Sequence, residues 1–537
     1  MMKKLFYRSI DSVTAAAFLV GASSLASRLL GVVRDRILAG TFGAGDTLDV
    51  YYAAFRIPDL IFNLLVLGAL SAGFIPAFTN LVKNEDKDRG EAWKLANNIL
   101  NLLALSLIAL MIVGIIFAPF IMKLATPGFS GAKLDQTVAL TRIMFLSPLL
   151  LGLSSVLGGI LQSMKRFFAY SLSPLFYNLG IIAGAYWLAP RWGITGLAWG
   201  VVLGSALHAL VQLPAVRHLG WRWQPVADWR DKGVRLILKM MTARTLALAS
   251  NQINLLVVTI IASTLASGSL AVFNLANNLQ SFPVGIFGIS FAIAVFPVLS
   301  VHAFNKEKLV SRLSSSVRQI LFFIIPSMVI FILLRAQIVR LILGTGKFNW
   351  EDTVLTMNTL SLFAISFFAQ ALIPLFTRVF YARHDSKTPF FIGMASDIFN
   401  IVLALWLTKM WGVVGLALAF SLTSILNFIA LVVALKLEIG SLNEKRTVLW
   451  VLKFSLAALA GGIVIQAIKQ YLGAHVDMDR VWGLLLQTGL SAGAGLAVYL
   501  FVCWLFKSPE IDRLWQYLKN RLPKQVPTDD QGEARGI

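Results

Sequence analysis

Four charged side chains, Arg28, Arg34, Asp35 and Arg36, fall inside an apolar run between positions 12 and 38. A charge at the centre of a bilayer costs at least about 2.5–3.5 kcal/mol on insertion scales, so charges retained there are expected to hold something. Arg28, Gly31, Arg34 and Asp35 are spaced i, i+3, i+6 and i+7. On a helix that spacing forms roughly one stripe, and Gly31 leaves room beside it. Arg36 points elsewhere and is placed to snorkel or to pair with Asp35. The next apolar run adds Asp49, Arg56 and Asp59. Arg28, Arg34 and Arg56 can therefore face one cavity, with Asp35, Asp49 and Asp59 as partial counter-ions. Arginine suits phosphate, because its planar fork bonds two oxygens at once and stays charged when desolvated. The pattern points to an anionic ligand held within a membrane. The other reading is a set of structural ion pairs that lock two helices together.

Elsewhere the chemistry is sparse. Asp397 lies mid-run in "MASDIFN", with Asn400 one turn on. The pair can hold a cation or a proton, or hydrogen-bond a neighbouring helix. The five histidines are scattered and have no ligand spacing. The single Cys503 excludes a disulfide framework or a multi-cysteine metal site. There is no G-x-x-x-x-G-K-[ST] stretch and no Ser/His/Asp pattern, so no cofactor, metal or catalytic role is expected. Without a nucleotide site, any work must draw on an ion gradient or the membrane potential.

The elements that must position these charges are membrane spans. Of 537 residues, 57% are hydrophobic and 14% charged, against about 25% charged in a soluble domain. Fourteen apolar runs are long enough to cross about 30 Å of hydrocarbon, from 12–38 and 48–82 at one end to 447–471 and 481–506 at the other. The net charge of +21 lies in the short segments between runs, which reads as topology rather than nucleic-acid binding. With the N-terminus inside, cytoplasmic segments hold 32 Lys and Arg and outer segments hold 10; Arg28, Arg34, Arg36, Arg56 and Arg244 lie within spans or at their edges. Both termini are thus expected in the cytoplasm, with the first run retained as a span.

The chain also repeats. "WGITGLAWGVVLGSALHAL" (192–210) aligns with "WGVVGLALAFSLTSILNFI" (411–429) at an offset of 219. "TFGAGDTLDVYYAAFRIPDLIFN" resembles "TLASGSLAVFNLANNLQSFPVGIF" at an offset near 222. The expected architecture is all-α and polytopic, with fourteen transmembrane helices. It comprises a six-helix repeat over 1–220, a second over 221–440, two further helices over 441–507, and a cytoplasmic tail over 508–537 that forms a surface helix to about Leu522. Parallel repeats with a site between them are a transporter architecture.

The segment "SRLLGVVRDRILAGTFGAGDTLDVYYAAFRIPDL", followed by "GALSAGFIPAF" (68–78), resembles the N-terminal signature of the MurJ (MviN) lipid II flippases of the multidrug/oligosaccharidyl-lipid/polysaccharide exporter superfamily. "SGSLAVFNLANNLQSFPVGIFGISFAIAVFPVLS" (267–300) and "RVFYARHDSKTPF" (378–390) support the resemblance. It implies a V-shaped bundle with a central cationic cavity for the diphosphate-sugar head of lipid II, and a groove on the last two spans for the lipid tail. It also implies alternating access in the bacterial cytoplasmic membrane, a monomer, contact with membrane lipids and cell-wall synthesis proteins, and no nucleic acid. Arg28, Arg34, Asp35 and Asp49 match positions important in the family. Arginines common in the family are absent from the second span, where Phe62-Asn63 stands, and from the eighth, where Asn277-Asn278 stands. Arg56, Asn63 and Asn278 are expected to take over part of their role. Competing readings are an exporter of another lipid-linked oligosaccharide or a drug, and a non-transporting scaffold for envelope assembly.

Overall fold

In a computed structural model, residue 6 and residues 13–67, 73–83 and 89–513 are described, and the described residues are helical with short connections. Lys3, Lys4 and Arg8, part of the 68–78 motif, the side chain of Arg244 and the part of the expected surface helix beyond Arg513 lie outside the described residues. Helices follow from the solvent: lipid offers no hydrogen-bond partner, so each span must satisfy its own backbone.

The first half begins with α1 (Val13–Phe42), α2 (Asp46–Ile61), α3 (Ile75–Lys83) and α4 (Arg89–Ala125). It continues with α5 (Gly131–Met144), α6 (Leu146–Ser163), α7 (Phe167–Ala183), α8 (Ala189–Trp192), α9 (Ile194–Leu210) and α10 (Leu213–His218). The second half holds α11 (Lys232–Ser263), α12 (Ser269–Pro283), α13 (Ser290–Val301), α14 (Lys306–Leu333), α15 (Arg335–Leu343), α16 (Trp350–Ala364), α17 (Phe367–Ala382) and α18 (Lys387–Ile439). Two more helices follow, α19 (Glu444–His475) and α20 (Val481–Leu505). Among the described residues, nine helical segments are long and apolar enough to cross a membrane. The number is ten when α16 and α17, bent by 46°, make one span. The helix α18 runs for 53 residues through a break at Gly412.

Local structure recurs along the chain. Gly193 (φ 59°, ψ −147°) begins α9, and Gly412, 219 residues on, has φ 55° and ψ −136°. Only glycine takes this backbone without strain. Ser205 donates to the Val201 carbonyl and Ser424 to the Phe420 carbonyl, again 219 apart. A π-helical turn at Phe62–Leu67 follows α2, and another at Val284–Ile289 follows α12, 222 residues later.

Packing relies on small residues where helices touch. Gly180 on α7 and Gly184, which opens the π-helical turn after it, face Gly200 and Gly204 on α9 so closely that a Cβ on any of the four would strike the opposing backbone. Close approach of this kind is how helices associate when lipid removes the hydrophobic drive. The segment joining the halves is stitched to α4. Trp221 donates its indole N–H to Asn97 (3.1 Å), Asn98 exchanges two bonds with Asp228, and Asn101 accepts from Trp223 (3.0 Å). Large apolar side chains such as Phe120, Ile463 and Leu437 remain exposed, as lipid-facing surfaces require.

Candidate functional site

A cavity of ≈ 460 Å³ opens among α1, α2, α6, α7, α9, α11 and α12. Three of its wall residues are prolines, Pro58, Pro148 and Pro174. Pro58 and Pro174 sit inside helices, where a proline removes a backbone bond and lets the helix bend.

Two arginines reach the cavity from different faces. Arg34 of α1 is tied on three sides: Nε and Nη2 donate to Asp35 Oδ1 (3.0 and 2.8 Å), and Nη1 donates to Asn178 Oδ1 of α7 (3.1 Å). Asp35 is 5% exposed and accepts a further bond at Oδ2 from Asn278 of α12 (2.9 Å). This chain of four residues joins α1, α7 and α12. Arg56 of α2 is held only through Nε, which donates to Thr259 Oγ1 of α11 (3.0 Å). Its two terminal nitrogens make no hydrogen bond among the described residues, so its fork is the more available to an anion. Asp59 lines the same wall.

The sequence expectations divide accordingly. Arg34, Asp35, Arg56 and Asn278 come together at the cavity. Arg28 does not reach it: although on the Arg34 stripe, it is exposed and donates to the Ser281 carbonyl (3.2 Å), its guanidinium lying against Gly285. Asp49 does not reach it either. It caps the start of α12, accepting from the amides of Gly268 (2.8 Å) and Ala271 (2.9 Å) and pairing with Lys133 (3.0 Å). An acceptor at a helix N-terminus satisfies amides that have no partner within the helix. Asn63 turns back to the Asp59 carbonyl (2.9 Å) at the π-helical turn and leaves the wall. Arg36 caps the other end of a helix, donating to the Leu341 and Ile342 carbonyls of α15. Its role there is structural, through α15 rather than Asp35.

The charge balance also differs from expectation. With Arg28 and Asp49 elsewhere, the wall carries two arginines and two aspartates, a formal balance rather than an excess of positive charge. The structure adds wall residues to which the sequence assigned no role: Tyr51, Tyr52, Tyr177, His208, Asn274 and Asn277. Tyr52, Arg56 and Asp59 stand at i, i+4 and i+7, a signal legible in the sequence. His208 had no such signal, because its partners come from other helices.

Asp397 and Asn400 form a separate cluster between α18 and α11. Ser250 Oγ donates to Asp397 Oδ2 (2.6 Å), Asn254 Nδ2 to Asp397 Oδ1 (2.9 Å), and Asn400 Nδ2 to Asn254 Oδ1 (2.9 Å). The buried Asn400 Oδ1 has no hydrogen-bond partner among the described residues. Oxygen donors of this kind suit a hard cation or a proton.

The end of the bundle near Asp49 is shut. Gly268 (φ 84°) packs against the Ala44 carbonyl so tightly that no side chain fits. Asp46 pairs with Lys133 (2.5 Å) and accepts from Ser267 (2.6 Å), and the Ala44 amide donates to Asp352 (3.1 Å).

Known proteins share both sequence and shape with this chain. Residues 38–486 match the sequence profile of the family described as Lipid II flippase MurJ. The "Probable lipid II flippase MurJ" of Buchnera aphidicola subsp. Acyrthosiphon pisum is 31% identical over 418 residues, covering 77% of this chain and 81% of that one. The Vibrio cholerae protein of the same description is 30% identical, covering 91% and 95%. A solved structure, "Lipid II flippase MurJ, inward closed conformation", superposes with a TM-score of 0.75 at 25% identity, covering 91% of this chain and 98% of that one. An inward-facing multidrug resistance MATE transporter of the MOP superfamily superposes at 0.65 with 15% identity, covering 78% and 96%; that likeness concerns the fold alone. On sequence and structure together, this multi-pass membrane chain belongs to the lipid II flippase MurJ family.

Proposed function

We propose that this protein is a transporter, not an enzyme, that moves lipid II from the inner to the outer leaflet of the bacterial cytoplasmic membrane for peptidoglycan synthesis. The observation that carries the reading is the cavity itself. A guanidinium fork with unpartnered terminal nitrogens, Arg56, stands across from the tethered Arg34, within the membrane part of a MurJ family chain. A diphosphate head bonds such a fork through two oxygens. Arg34, Asp35, Arg56 and Asn278 are the proposed substrate contacts, and the Asp397–Asn400 cluster is the proposed ion site.

The finer architecture belongs to the same proposal. Fourteen spans, arranged as two six-helix repeats plus two helices, are supported by the recurring glycine backbones, serine bonds and π-helical turns. Both termini then face the cytoplasm, and the shut end at Asp49 faces outward. The protein acts as a monomer among membrane lipids, alongside cell-wall synthesis proteins and without nucleic acid.

Depletion in growing cells, with a probe for the leaflet that holds lipid II, tests the function. Precursor trapped on the inner leaflet is the expected result. A lipid-linked oligosaccharide trapped instead supports another exporter of the superfamily. Growth rescued by a variant with Arg34 and Arg56 both neutralised supports a scaffold.

A further inference from the structure

His208 stands on α9 at the cavity wall, yet none of the contacts proposed above uses it. One edge of its ring is fixed. Nδ1 lies 2.7 Å from Ser154 Oγ on α6, and Tyr177 of α7 packs edge-on with ring centroids 6.4 Å apart. Ser154 Oγ donates to the His208 carbonyl (2.9 Å) and accepts from Gln212 Nε2 (2.6 Å). A serine hydroxyl has one hydrogen and two lone pairs. With the hydrogen on the carbonyl and one lone pair on Gln212, the remaining lone pair faces Nδ1. That arrangement receives a protonated Nδ1. Nε2 makes no hydrogen bond among the described residues.

Charge supplies the second argument. The charged and titratable groups that share the cavity with His208 are Arg34 and Asp35 on α1, Tyr51, Tyr52, Arg56 and Asp59 on α2, and Tyr177 on α7. The facing parts of α6, α11 and α12 contribute Ser147 and three asparagines, none of which titrates. Two arginines against two aspartates leave the wall formally neutral. A diphosphate entering it brings negative charge that nothing on the wall offsets. Of these groups, histidine is the one that ordinarily gains a positive charge between pH 5 and 8. An opposite charge within about 4–6 Å favours the charged form of an ionisable group.

We propose that His208 is a substrate contact that takes one proton from solvent as the anionic head group arrives, Nε2–H then bonding a diphosphate oxygen while Ser154 holds Nδ1–H. The inference rests on the reading that the cargo is a lipid diphosphate.

The test is titration of the purified full chain in detergent with undecaprenyl diphosphate, by calorimetry at about pH 7.5, where a free imidazole is mostly neutral, in two buffers of different ionisation enthalpy. Wild type should take up about one proton more per lipid bound than His208→Gln. The variant should bind about tenfold more weakly, and His208→Arg should restore affinity without the uptake. In case His208→Gln does not fold, ¹⁵N-histidine spectra of wild type give the same answer: on adding the lipid, both His208 ring nitrogens should shift to imidazolium positions. Equal proton uptake in the variant, or a neutral His208 in the complex, overturns the proposal and hands the proton to Asp35 or Asp59. If wild type does not bind the lipid at all, the functional reading falls, and this role falls with it.

Discussion

Arg34 and Arg56 are the same residue type in two different situations. Arg34 is committed to Asp35 and Asn178, so its removal leaves a buried carboxylate with only Asn278 as partner. Breaking a buried pair on one side costs about 3–5 kcal/mol. Arg56 is held by one bond to Thr259, so its loss should be felt in transport more than in folding. Arg34→Ala is therefore expected to insert and melt poorly, and Arg34→Ala/Asp35→Asn to recover stability without recovering transport. Arg56→Lys should keep wild-type stability but lose transport by about tenfold, because an ammonium cannot bond two oxygens as a fork does. Thermal melts and a leaflet assay on the three variants separate these outcomes. Wild-type flipping by a stable Arg34/Asp35 double variant removes Arg34 from the contacts.

Helix starts explain why several short motifs read as they do. In "RHDSKTPF", Asp385 accepts from the amides of Lys387 (2.9 Å) and Thr388 (3.1 Å), and Pro389 sits in the first turn of α18, where its missing N–H costs nothing. Bonds from the Thr388 hydroxyl first, and then from the Thr388 and Lys387 amides, hold the Asp385 carboxyl below the usual carboxylate range. A depressed folded value means that the stabilisation is present above the unfolded value, about 3.9, and is lost as pH falls through the folded one. Losing such a cap costs about 0.5–2 kcal/mol. Amide exchange at the first turn of α18 should therefore be about twofold to thirtyfold faster in Asp385→Ala than in wild type at pH 7. The ratio should approach one in acid below the folded value. A ratio near one at pH 7 would show that Pro389 and packing alone set the helix start.

At the scale of the whole molecule, the two halves meet at one shut end and share one cavity. Asp49 joins them through its own counterpart, since Ala271 lies 222 residues further on, the offset that also relates the π-helical turns. Alternating access requires this end to part. Asp46 and Ser267 touch across it through side chains 2.6 Å apart. With Cys503 the single native cysteine and buried, an Asp46→Cys/Ser267→Cys pair can be locked cleanly by a short thiol cross-linker with a reducible disulfide. Transport should stop on cross-linking and return on reduction. Flipping that continues through the lock would mean that this end does not open in the cycle.

The membrane class, the runs that become spans, the Trp-Gly repeat and the presence of ligand-capable arginines were legible in the sequence, because hydrophobicity and helical spacing are local properties. Asp397 with Asn400 and the stripe of Arg34 with Asp35 were legible for the same reason. Spacing along one helix could not say which end of a stripe meets a partner. Arg28 and Arg34 share a face, yet one meets the Ser281 carbonyl and the other the cavity, because the π-helical turn that follows α12 lies beside Arg28. Asp49 resembled a counter-ion until the amides of α12 were brought within 3 Å of it, 219 and 222 residues away in the chain. His208 became a site residue through Ser154 and Tyr177, which lie on two other helices. The sequence determined which charges enter the membrane; which of them face each other was decided by how the helices cross, since the energy of a buried charge depends on partners that sequence distance does not encode.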